Sequence, residues 1–188
     1  MKKFLVALMA VLFVSINTAE AIEFTVQDKM LLMYGSFIDG DLEKFVSIID
    51  ENDVELILIN SNGGLLNAAL PISDIINEKD IIVGIPERAS CLSACAFVWA
   101  SSHKRAIQEG GIIGFHTPYS YDENNNPIID KGSSGLLGFI VGLQGYDLYM
   151  LHDILEYGPD TMLVLDETNR DEYFTKWNVP YDFIPKDN

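Results

Sequence analysis

The chain has 188 residues, with 28 Asp and Glu against 12 Lys and Arg, a formal charge of −16 at pH 7. That length suits one ordinary domain burying roughly 70% of its unfolded surface, and 48% hydrophobic residues exclude a disordered chain. So acidic a surface repels phosphate backbones and anionic lipid, so no nucleic-acid partner is expected, and two cysteines are too few for a disulfide scaffold or a four-cysteine zinc site.

Residues 1–21 read as a secretory leader. Lys2 and Lys3 precede an apolar run from Phe4 to Val14, and Ala19-Glu20-Ala21 supplies small residues at positions −3 and −1 of a cleavage site. Eleven apolar residues are too few to span a bilayer, which takes about twenty. The expectation is an exported protein, periplasmic or extracellular, whose single domain occupies residues 22–188 and carries ten basic against 27 acidic side chains, a charge of −17. Export removes any ATP supply and exposes Cys91 and Cys95 to an oxidising milieu.

Strands and helices alternate along the remainder. Met30 to Tyr34 reads as a strand ending at Gly35. Asp41 then stands where it can cap a helix with Leu42, Phe45, Val46 and Ile49 at helical spacing. Val54 to Ile59 is a β-rich run closed by Asn60-Ser61-Asn62-Gly63-Gly64. A helix follows to about Asn77, with Pro71 a candidate kink, and then a strand from Ile81 to Ile85. Cys91 to Ala100, small and apolar, suits a helix packed closely on a sheet, and Ile112 to His116 suits a strand. Residues 118–133 read as a polar, turn-rich loop. Leu136 to Tyr157 predicts one or two helices broken at Gly145, Thr161 to Leu165 a strand, and Asn169 to Trp177 a last helix. Such alternation predicts an α/β fold with largely parallel pairing.

Two segments carry chemistry. The adjacent glycines of Ile59-Asn60-Ser61-Asn62-Gly63-Gly64 leave bare backbone N–H groups of the kind that hold an oxyanion, although Asn-Gly-Gly is equally a plain turn. In Ala89 to Ala96, Ser93 stands among small residues at a strand-to-helix junction, where serine serves either as a helix cap or as a nucleophile beside the free N–H of Ala94. A nucleophile needs a base. His103 adjoins Lys104 and Arg105 in a polar turn and His152 sits beside Asp153 on a helix, so His116, ending an apolar strand, is the best-placed candidate.

In this order and spacing the segments resemble the ClpP/crotonase superfamily, and among its members the exported bacterial relatives of the Clp protease proteolytic subunit. The family's INSPGG is Ile59 to Gly64 here, with Asn62 in place of proline. Gly64 lies 29 residues before Ser93, and Arg105 lies 11 before His116. The resemblance covers residues 29 to 118 well and the C-terminal third loosely. It implies a spiral of repeated ββα units and a serine hydrolase: Ser93 the nucleophile, His116 the general base, the N–H groups of Gly64 and Ala94 the oxyanion hole. An aspartate before the last strand completes the family's triad. Asp160 holds that place, with Asp166 and Asp171 as competitors. No cofactor or metal is implied. The segment from Ser93 to Arg105 is shorter than the family's, and residues 118–133 replace much of its handle region, so ring assembly of the Clp type is not expected, while self-association in another form stays open.

Cys91 and Cys95 flank Ser93. They pair if Cys91 precedes the helix; otherwise they are two buried thiols. A zinc site of Cys91, Cys95 and His103 would need a fourth ligand and would block the nucleophile. Three readings follow: a peptidase acting on peptides or unfolded segments without a cytoplasmic ATPase, a catalytically silent binding or assembly protein of the envelope, and a thioester enzyme, which export disfavours because acyl-CoA is cytoplasmic.

Overall fold

A computed structural model describes residues 21–184; the predicted leader, apart from Ala21, lies outside the described residues. In chain order the elements are β1 (Glu23–Gln27), β2 (Met30–Phe37), α1 (Asp41–Glu51), β3 (Leu56–Gly64), α2 (Leu66–Glu78), β4 (Ile82–Ile85), β5 (Ser90–Leu92), α3 (Ala94–Ser101), β6 (Lys104–Gln108), β7 (Ile112–Phe115), β8 (Tyr119–Tyr121), β9 (Pro127–Ile129), α4 (Lys131–Leu143), α5 (Tyr149–Leu155), β10 (Leu163–Leu165), α6 (Arg170–Trp177) and β11 (Asp182–Ile184).

The long strand β3 organises the sheet. Alternation buries Ile57 and Ile59 on one face. One edge of β3 pairs in parallel with β2. Its other edge pairs with β4 over Leu56 to Leu58 and then with β5 at Ser61. β3 therefore feeds two branches, β4-β6-β11 and β5-β7-β10, with β1 antiparallel on β2 and β10 antiparallel on β7. The other pairings of these branches are parallel, as strand–helix alternation predicts. β2 continues past Gly35, with a register shift between Tyr34 and Ser36.

α3 fills the angle between the branches. All eight of its residues are buried, and it packs on α2, β3, β5, β7 and α4. Its alanines and Cys95 allow close approach, while Phe97 and Trp99 supply bulk at roughly 1.5–3 kcal/mol per buried large side chain. At its C-terminal end Arg105 donates from Nη1 to Ala100 O at 2.7 Å and lies over the rings of Trp99 and Tyr146. Burial pushes this guanidinium down to about 10. A cation there complements the helix dipole.

Several local expectations are corrected. Cys91 lies in β5, so the helix begins three residues later than the apolar run suggests. Gly40, with φ 90°, is the N-cap of α1; Asp41 is its first residue, and its buried carboxylate accepts the Ile38 N–H at 2.8 Å. Lys104 and Arg105 belong to β6 rather than a turn. The loop over residues 118–133 contains the β8–β9 hairpin, with Tyr119 opposite Ile129. α2 runs through Pro71, which costs one backbone hydrogen bond.

Candidate active site

The C-terminal ends of three adjacent parallel strands, β3, β5 and β7, meet at one place, where open α/β sheets bind ligands. Ser61 pairs with Cys91, which sets Gly63 level with Ser93, and Leu92 pairs with Gly114, which sets Ser93 one residue short of His116. Residues remote in sequence are thus neighbours through register alone.

Ser93 sits between β5 and α3 with φ 57° and ψ −124°. A non-glycine residue held there stores ~1–3 kcal/mol of strain, a feature concentrated at functional sites. Its N–H donates to Gly114 O at 2.8 Å, tying the turn to β7. Ser93 is the N-cap of α3, yet its side chain makes no capping hydrogen bond. Its Oγ instead lies 2.7 Å from His116 Nε2. The helix-cap reading of this serine therefore fails, and the α3 N-terminus keeps its first N–H, that of Ala94, without an intrahelical partner.

His116 is 7% exposed. Its Nδ1 lies 2.9 Å from Thr117 O. A carbonyl oxygen can only accept, so Nδ1 carries the proton of the neutral imidazole and Nε2 offers its lone pair to the Ser93 hydroxyl. Thr117 is itself fixed: its N–H donates to Tyr157 O at 2.9 Å and its Oγ1 to Ile154 O at 3.3 Å. The imidazole is thus oriented, in the tautomer that general-base catalysis would require of it.

The glycines close the site from the β3 side. Gly63 has φ 98°, and a Cβ there would stand 2.5 Å from Ser93 Cβ and 3.0 Å from Ala94 N. Gly64 has φ 129°, and a Cβ there would collide with the backbone oxygen of Phe37. Neither position admits a side chain, and Gly63 lies against Ser93 and the N-terminus of α3.

The expected aspartate is where the structure departs from the sequence reading. Asp160 is exposed and makes no hydrogen bond to His116; the Nδ1 proton goes to Thr117 O. Its charge is felt at Tyr119. Asp166 accepts from Thr168 N and Oγ1 and Asp171 accepts from Tyr181 Oη. Among the described residues no carboxylate bonds to the imidazole. The physical reason is local: His116 reaches the carbonyl one residue ahead of it, which no sequence pattern marks.

Cys91 and Cys95 are joined in a disulfide with Cα atoms 5.1 Å apart, bracketing Ser93. Both sulfurs are thereby removed from any thiolate ligand set, and His103 is exposed, with its backbone N–H on Asn77 Oδ1 at 2.7 Å. His152 is exposed, its Nδ1 3.4 Å from Asp153 Oδ1. Tyr119, inside a segment read as loop, packs its ring 5.4 Å from that of His116; only its nearness in sequence to His116 could have drawn notice to it.

No protein-family model and no curated protein matches the chain. Solved structures do. The 1510-N membrane-bound stomatin-specific protease, in a mutant bound to a substrate peptide, is 19% identical, with 81% of this chain and 73% of that one covered and a TM-score of 0.58. A second mutant of the same protease is 17% identical over 84% and 95%, with a TM-score of 0.55. The human enoyl coenzyme A hydratase domain-containing protein 3 is 12% identical over 88% and 71%, with a TM-score of 0.52. The fold is of the ClpP/crotonase type, a mixed α/β domain with a curled sheet.

Proposed function

We propose that the protein is a serine peptidase of ClpP-like fold that hydrolyses peptides or unfolded segments through an acyl-enzyme, without ATP. The observation that carries this is the 2.7 Å contact of Ser93 Oγ with an imidazole whose other nitrogen is held by a carbonyl. His116 takes the Ser93 proton as Oγ attacks the substrate carbonyl, and the tetrahedral oxyanion is received by the N–H groups of Gly64 and Ala94. Collapse of that intermediate breaks the C–N bond, and His116 returns the proton to the leaving amine. Water then enters, His116 accepts its proton, and the acyl group is released with Ser93 reprotonated. Base catalysis of this kind supplies typically 10²–10⁴-fold, and one oxyanion donor about 10²–10³-fold. The close approach of Gly63 to Ser93 and Ala94 supports the oxyanion assignment.

The action is assigned to the cell exterior or periplasm on the strength of residues 1–21, and with it independence from a cytoplasmic unfoldase. Among the described residues no helix is long and apolar enough to cross a membrane. The lack of a carboxylate on His116 favours one competing reading, a silent binding protein of the same fold. Hydrolysis of a fluorogenic peptide library decides between them. The peptidase reading expects activity in the purified protein that disappears in both Ser93→Ala and His116→Ala; activity surviving in Ser93→Ala would overturn it.

A further inference from the structure

His116 presents a puzzle if the site works as a serine peptidase, the reading on which this inference rests. Proton transfer from Ser93 creates an imidazolium, and Thr117 O, a neutral acceptor, opposes it with only a partial charge. An aromatic ring, that of Tyr119, also packs on the imidazole. Its ring centroid lies 5.4 Å from that of His116, with the planes inclined by 40°. Tyr119 is anchored from both directions. It opens β8, opposite Ile129 in the hairpin register, and Tyr121 packs on its ring in a T-shaped arrangement at 5.6 Å. Asp130 N, at the foot of the hairpin, donates to Pro118 O at 2.9 Å, so the strand carrying Tyr119 is fixed just after Thr117. A hydrogen bond with Tyr121, then burial, then the charges of Tyr121 and Asp160 push the Tyr119 hydroxyl above its ordinary value.

We propose that Tyr119 is a positioning residue for His116: its ring restrains rotation of the imidazole so that Nε2 stays on Ser93 Oγ, and its π face stabilises the imidazolium formed when the proton moves. An aromatic face within about 6 Å of a cation stabilises it by an amount that corresponds to roughly 3- to 30-fold in rate. The device does part of what a hydrogen-bonded carboxylate does elsewhere, and it resides in a segment with no helical or alternating pattern.

The test uses the full chain and four variants, Tyr119→Phe, Tyr119→Leu, Ser93→Ala and, for assignment, His116→Gln, with two readouts. The first is the ¹⁵N spectrum of the His116 imidazole, assigned through His116→Gln, which reports the tautomer whether or not the protein hydrolyses anything. The second is kcat and KM for peptide hydrolysis. Tyr119→Phe keeps the ring and is expected to retain the Nδ1–H tautomer and kcat within about twofold. Tyr119→Leu is expected to show mixed tautomers and kcat lowered about tenfold at unchanged KM. An unmixed tautomer in Tyr119→Leu overturns the proposal, as does a raised KM at constant kcat, which marks a substrate contact, or Phe behaving like Leu. If the wild type equals Ser93→Ala in hydrolysis, the peptidase reading fails, and the ¹⁵N spectra still decide the role of Tyr119.

Discussion

At the scale of single residues, the account rests on which partner each polar atom of the site chooses. Ser93 is a helix N-cap by position, yet its Oγ bonds to His116 rather than to the first turn of α3, and the proposed nucleophile role rests on that bond. Asp160 illustrates the converse: the right place in the chain order, and no bond to the imidazole. It is exposed, its charge is felt at Tyr119, and solvent screens charges so placed. Asp160→Asn is therefore expected to lower kcat/KM by less than about fivefold, measured by peptide hydrolysis; a loss of several thousandfold would show that the carboxylate swings onto Nδ1 during turnover. The pairing of Ser93 with His116 was legible in the sequence because the segments that carry them, small residues at a strand-to-helix junction and the end of an apolar strand, stand in order at fixed gaps. The third partner was not, since 28 acidic residues offer too many candidates and a backbone carbonyl has no letter.

Among the elements, the junction of β5 with α3 matters most. Its disulfide closes a loop with a sequence separation of four, which restricts the unfolded chain by about 2 kcal/mol on loop-entropy grounds, and the same link spans the strained Ser93 backbone. The double variant Cys91→Ala, Cys95→Ala is expected to melt several degrees lower and to react more slowly at Ser93, as thermal denaturation and the rate of covalent inactivation would show. Unaltered reactivity at a lowered melting point would confine the bridge to stability. Two of the regions that escaped sequence reading did so for different reasons. β6 carries Lys104 and Arg105, and burial of the arginine against Ala100 O and two aromatic rings conceals its strand character. The β8–β9 hairpin has no buried face to impose alternation, and its Asp122 to Asn126 tip reads as loop. α2, β4 and α6, with one face committed to the core, were placed nearly to the residue.

For the molecule as a whole, the core gathers around α3, and within the C-terminal third a buried carboxylate fastens α5 to α6. Asp153 of α5 accepts from Lys176 Nζ at 2.7 Å and Trp177 Nε1 at 2.8 Å of α6. Burial alone would raise its pKa, but hydrogen bonds from Lys176, Trp177 and His152 outweigh that and hold it below the ordinary carboxylate value. A depressed folded pKa contributes stability that is fully present above the unfolded value of about 4 and is lost as pH falls through the folded one. The gap in melting temperature between wild type and Asp153→Asn is accordingly expected to be widest above about pH 5 and to shrink below about pH 4; a gap constant from neutral to acid pH would contradict this. The central claim, that Ser93 is an activated nucleophile in a ClpP/crotonase-type fold, is tested most directly by treating the purified protein with a fluorophosphonate and locating the adduct by peptide mass spectrometry. The account predicts a stoichiometric adduct on Ser93 that vanishes in Ser93→Ala and falls to background in His116→Ala. An unmodified Ser93 in folded wild-type protein, or labelling undiminished in His116→Ala, would contradict it.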